Sequence, residues 1–75
     1  YNMFYVYEFN CAYDAFLARS ILNTYSLGKK RLDFVTFSEI LVQNFELDFR
    51  CYENINEEDV YKYMADTNFV VFFSL

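Results

Sequence analysis

Six carboxylates in one stretch of the chain, Glu46, Asp48, Glu53, Glu57, Glu58 and Asp59, are the residues whose type and spacing come closest to chemistry. Carboxylates so placed can exchange protons, hold a cation or meet a basic surface. Acid–base catalysis most often recruits histidine, and the sequence contains none, which also removes the commonest metal ligand. A calcium loop needs oxygen ligands at fixed positions around an internal glycine. The single glycine, Gly28, lies elsewhere, and Lys30 and Leu32 cannot ligate where such a loop ahead of Phe37 and Glu39 would need oxygens. Electrostatic use remains: Glu57, Glu58 and Asp59 suit the first turn of a helix, where negative charge meets the positive end of the dipole. Spaced carboxylates beside exposed tyrosines can also imitate nucleic-acid phosphates and occupy a basic groove on another protein.

The other reactive groups point away from catalysis. Cys11 and Cys51 form one disulfide at most, whereas small secreted domains usually carry several, so two reduced thiols are expected. Cys51 falls on the apolar side of an alternating run and is expected to serve as a small buried hydrophobe. Cys11 stands where a helix opens, and a structural role is expected there too. Phosphate cradling needs several glycines ahead of a helix, which excludes the P-loop and the dinucleotide fingerprint. Lys29, Lys30 and Arg31 make the one basic cluster, too small for a nucleic-acid face. No catalytic residue, metal or cofactor is therefore expected.

The elements that must position the carboxylates follow from periodicity. Met3 to Phe9 is aromatic and β-branched with only Glu8 charged, which predicts a strand covered on both faces. Asn10 can cap a helix running to about Leu27, with Tyr13, Phe16, Leu17, Ile21 and Thr24 inward, Arg19 outward and Gly28 in the left-handed stop position. Leu32 to Val35 reads as a short strand or loop. Thr36 with Glu39 forms a capping box for a second helix carrying the stripe Phe37, Ile40, Leu41 and Phe45. Glu46 to Tyr52 alternates, placing Leu47, Phe49 and Cys51 against Asp48 and Arg50, as a half-exposed strand does, the alternative being that the second helix runs on to Phe49. Asn56 caps a third helix with Ile55 and Val60 as its hydrophobic staple and Val60, Tyr61 and Met64 inward. Phe69 to Phe73 is a continuously apolar strand, expected to be central or paired with a partner molecule.

A single α+β or small α/β domain over residues 1–75 follows, three helices on a sheet in which the N- and C-terminal strands are neighbours. A winged-helix arrangement is the runner-up. Its recognition helix would open on Glu57, Glu58 and Asp59 and repel DNA, so even that fold would bind protein.

Of the 75 residues, 56% are hydrophobic and 24% aromatic, far too apolar for disorder. So much ring surface is hard to hide in one small core, and part of it is expected in an interface. A net charge of −5 also keeps such a chain in solution. No apolar run is long enough for a membrane-spanning helix, and no secretory signal is visible, taking Met3 as the native start if Tyr1 and Asn2 are extra. Abundant Phe, Tyr and Asn with few Gly, Ala, Arg and Pro suggest AT-rich codons of viral, phage or low-GC origin.

These readings converge on an intracellular protein-binding module of viral or phage type, in the cytoplasm of an infected host cell. It is expected to inhibit a nucleic-acid-binding host protein through its acidic, tyrosine-bearing face, without touching nucleic acid or membrane. The alternative is an assembly subunit that oligomerises through its aromatic strands.

Overall fold

The computed structural model describes residues 3–28 and 32–74. The chain runs β1 (Met3–Phe9), α1 (Ala12–Leu27), α2 (Phe34–Glu39), a π-helical continuation of α2 (Ile40–Asn44), β2 (Phe49–Tyr52), α3 (Glu57–Met64) and β3 (Phe69–Ser74). The sheet is antiparallel in the order β2-β1-β3, so the fold is α+β with the N- and C-terminal strands paired. The winged-helix alternative does not hold: β2 separates α2 from α3, and β3 is bound to β1 instead of forming a wing.

Successive strand residues face opposite ways, so the register sorts the sheet into two faces. Tyr5, Tyr7, Phe9, Phe49, Cys51, Val70 and Phe72 share one. Against it lie α1 through Ala15 and Ala18 and the α2 segment through Phe37 and Leu41, all fully buried. The rings interlock: Tyr7 meets Phe37 edge-on at 5.1 Å, Phe37 stacks on Phe72 at 5.4 Å, and Tyr5 stacks on Phe34 at 4.1 Å. Such offset and edge-on contacts add to area burial, at about 0.5–1.5 kcal/mol per pair. The Tyr7 hydroxyl is paired with Ser38 Oγ at 2.9 Å, and burial holds its pKa well above the ordinary value.

The second face, with Phe4, Val6, Glu8, Arg50, Tyr52, Phe69, Val71 and Phe73, is the one that α3 meets. Val60 is buried there beside Val6, and Tyr63 meets the Phe69 ring at 5.1 Å. Eight residues of helix cannot cover it all, so Tyr52 and Phe73 stay exposed.

Several expectations are corrected. On α1, Ile21 faces the sheet as expected, but Tyr13, Phe16 and Thr24 point to solvent, and Ala15, Ala18 and Leu22 take the inward places. Strand aromatics already fill that layer, and only small helix residues allow close approach. Arg19 is not an outer-face residue: its Nη2 donates to the carbonyls of Phe69, Thr67 and Asp66 at 2.7, 3.1 and 3.5 Å. Gly28 has no positive φ, and its amide still bonds Thr24 O at 3.1 Å. Asp33, not Thr36, caps α2, its carboxylate accepting from Thr36 N–H at 2.7 Å, and Phe34 already belongs to the helix. The expected inward stripe of that helix is only half realised, with Phe37 and Leu41 buried but Phe45 exposed. On α3, Tyr61 and Met64 are exposed and Tyr63 takes the inward place. Finally, β3 is not central: β1 is, and β3 is an edge.

Candidate functional site

Each candidate carboxylate is placed by a local device. The α2 segment ends with Glu46 at φ 54°, its N–H bonded to Val42 O at 3.2 Å, while Leu47 N–H reaches Leu41 O at 3.0 Å. A left-handed residue at a helix end is usually glycine, so this turn costs Glu46 about 1–2 kcal/mol of backbone strain. The turn postpones β2 to Phe49, and Glu46 and Asp48 therefore stand in the preceding loop, not on the strand as expected. The expected alternation survives, with Leu47, Phe49 and Cys51 half-buried and Asp48 and Arg50 exposed.

Downstream, Asn54 at φ 58° turns the chain from β2 into α3. Asn56 occupies the cap position, but only its carbonyl is used, accepting from Asp59 and Val60 N–H at 3.0 and 3.1 Å. Glu57, Glu58 and Asp59 form the first turn of α3. Asp59 is half-exposed and pairs with Lys62 at 3.6 Å, a surface contact worth at most about 1 kcal/mol. Among the described residues it is the one candidate carboxylate with an ion pair; Glu57 and Glu58 project freely, with Tyr61 on the same side of the helix as Glu57.

The six carboxylates thus fall into two groups. Glu53, Glu57, Glu58 and Asp59 follow one end of β2, flanked by exposed Tyr52 and Tyr61. Glu46 and Asp48 precede its other end, roughly 15 Å away at the rise of a strand. Asp48 lines an open depression of about 580 Å³ together with Glu8, Asn10, Arg50 and Asn68. Within it Glu8 is engaged, accepting from the Tyr52 hydroxyl at 2.8 Å, which raises the Tyr52 pKa, and lying opposite Arg50 across the strands.

A second feature escaped the sequence reading. Between α1 and α3 a groove of about 290 Å³ runs along the outer edge of β3, lined by Arg19, Leu22, Asn23, Met64, Phe69, Val70 and Val71. The one available signal was Arg19, the single cation on a helix whose other charge is Asp14 in its first turn. Both cysteines are free thiols; Cys11 is exposed, and burial with the nearby Glu53 charge pushes Cys51 up to about 11. The Lys29, Lys30 and Arg31 cluster lies outside the described residues. Among those described, no three metal-ligating side chains come together and no helix is long and apolar enough to cross a membrane.

Compared with protein-family models, curated proteins and solved structures, the chain matches none.

Proposed function

We propose that this chain is a non-enzymatic protein-binding module that docks the acidic start of α3 on a basic groove of a partner, in the manner of a nucleic-acid mimic. The reading rests chiefly on one observation: Glu57 and Glu58 are exposed, carry no ion pair among the described residues, and stand beside exposed Tyr61. Charge held away from its own cations is available to another protein's, and it speeds encounter as well as strengthening it. Glu53 extends this surface; Glu46 and Asp48 belong to a separate group and contribute less. The composition supports a viral or phage inhibitor acting on a nucleic-acid-binding host protein. Capture of a partner on the immobilised chain tests the reading. Duplex DNA or heparin is expected to release that partner, and Glu57→Gln with Glu58→Gln to abolish capture while leaving the fold intact. Capture indifferent to both would contradict it.

A second reading, an assembly subunit joined through its aromatic strands, is favoured by the position of β3 at an edge of the sheet.

A further inference from the structure

The hydrogen-bond phase of the sheet follows from one contact. Phe9 N–H bonds Asn68 O at 2.9 Å, so by alternation Val70 and Phe72 direct their backbone groups to β1, and Phe69, Val71 and Phe73 direct theirs outward. Phe69 is already satisfied: its carbonyl accepts from Arg19, and its N–H bonds Asp66 O at 3.3 Å. Among the described residues the open edge therefore consists of Val71 and Phe73.

From this edge we infer that β3 pairs with β3 of a second copy, antiparallel about a two-fold axis at Phe72. This deepens the assembly reading and rests on it. Pairing centred on Val71 would set Phe73 against Phe69, whose groups are occupied. Centring on Phe72 sets Val71 against Phe73 of the second copy, and the reverse, so every open group finds a partner. A six-stranded sheet results, β2-β1-β3-β3-β1-β2.

The flanks fit such a neighbour. Phe16 is three residues before Arg19 and seven before Asn23, which places it on the groove side of α1, and Tyr61 shares a side of α3 with Met64. Phe16, Tyr61, Met64 and Phe73 are 60, 66, 63 and 47% exposed. At aromatic side-chain sizes they offer roughly 400–500 Å² per copy. The strand edge, Leu22 and Val71 extend that toward the about 800 Å² per partner of a stable interface. No carboxylate lines the groove itself; Glu57, on the same side of α3 as Tyr61, stands one turn before it.

Sedimentation of the full chain over a range of concentrations tests this. A dimer is expected at low and high salt alike, because its contacts are apolar and backbone-mediated. Val71→Pro removes one outward N–H per copy and leaves the β1 ladder untouched; it is expected to weaken the dimer about 10–100-fold. A mixed sample of labelled and unlabelled chains is expected to show an Hα–Hα contact between the two copies of Phe72. A monomer at millimolar concentration overturns both the inference and the assembly reading. A dimer that survives Val71→Pro, or lacks the Phe72 contact, overturns the edge assignment while the assembly reading stands. Circular dichroism establishes that the variant is folded, and Phe73→Lys, which puts a charge beside the paired strands, is expected to give the same loss.

Discussion

The two edges of this sheet are managed in opposite ways. β2 is four residues long, follows a left-handed turn, and alternates half-buried side chains with exposed Arg50 and Tyr52, with Asp48 and Glu53 at its ends. Short length and charge are the usual means of keeping an edge from recruiting another strand. β3 is six residues long, apolar from Phe69 to Phe73, and guarded only at its start, where Arg19 covers Phe69. On the pairing proposed above, a chain that protects one edge and leaves the other apolar, in a groove between two helices, directs strand pairing to one place. The carboxylates follow the same division: none lines the β3 groove, and those around β2 and at the start of α3 stand where the charge-driven contacts proposed above would form.

Removing what both edges share has the largest expected effect. Tyr7 lies at the centre of the aromatic layer, against Phe9, Phe34, Phe37 and Phe49, and Tyr7→Ala is expected to cost about 3–5 kcal/mol in urea denaturation. A cost below about 1 kcal/mol would mean that the layer is not the core. Arg19→Ala separates the edges. Loss of a charged donor to the turn before β3 is expected to cost about 1–3 kcal/mol and to raise amide exchange in β3 without changing β2. Equal loosening of both strands would contradict the clamp.

Alkaline pH probes the β2 side first. The pKa of Cys51 is raised from 9.0 to about 11 in the folded protein and that of Tyr7 is raised from 10.0, both chiefly by burial. The unfolded chain loses these protons at lower pH than the folded one, so their contribution is intact below pH 9 and falls as pH rises through 9 and then 10. Denaturation midpoints should decline from pH 9 upward, and Cys51→Ala should remove the first part of the decline; a flat profile to pH 11 would contradict the burial of both groups. Asp33 touches neither edge and gives the smallest effect. Bonding to Thr36 lowers its pKa below 3.8, so its contribution is present above that value and lost as pH falls below it. Asp33→Ala should remove that acid-side loss and fray α2 while leaving both strands unchanged, as read by amide exchange.

β1 and β3 were legible in the sequence because strands this uniformly apolar have few other solutions, and their pairing followed from the same property. The inward face of α1 was not. Reading the largest side chains as buried fails where the opposing sheet is itself aromatic: there Ala15 and Ala18 are fully buried, and Ile21 and Leu22 pack only partly buried beside them. The pattern Thr36 to Glu39 imitated a capping box, while Asp33, three residues ahead, had the same chemistry and the better position. The division of the carboxylates was hidden because it depends on Glu46 adopting a conformation that its residue type disfavours. The β3 groove was hidden because strand order, unlike strand existence, is not written in local periodicity.

Amide hydrogen exchange at two protein concentrations compares the edges most directly. Val71 and Phe73 on β3 and Phe49 and Cys51 on β2 all direct their N–H groups away from β1. In concentrated solution Val71 and Phe73 are expected to be protected and to lose that protection on dilution, while Phe49 and Cys51 exchange fast at both concentrations. If all four exchange equally fast at every concentration, the β3 edge is no more an interface than the β2 edge, and the account of their difference is wrong.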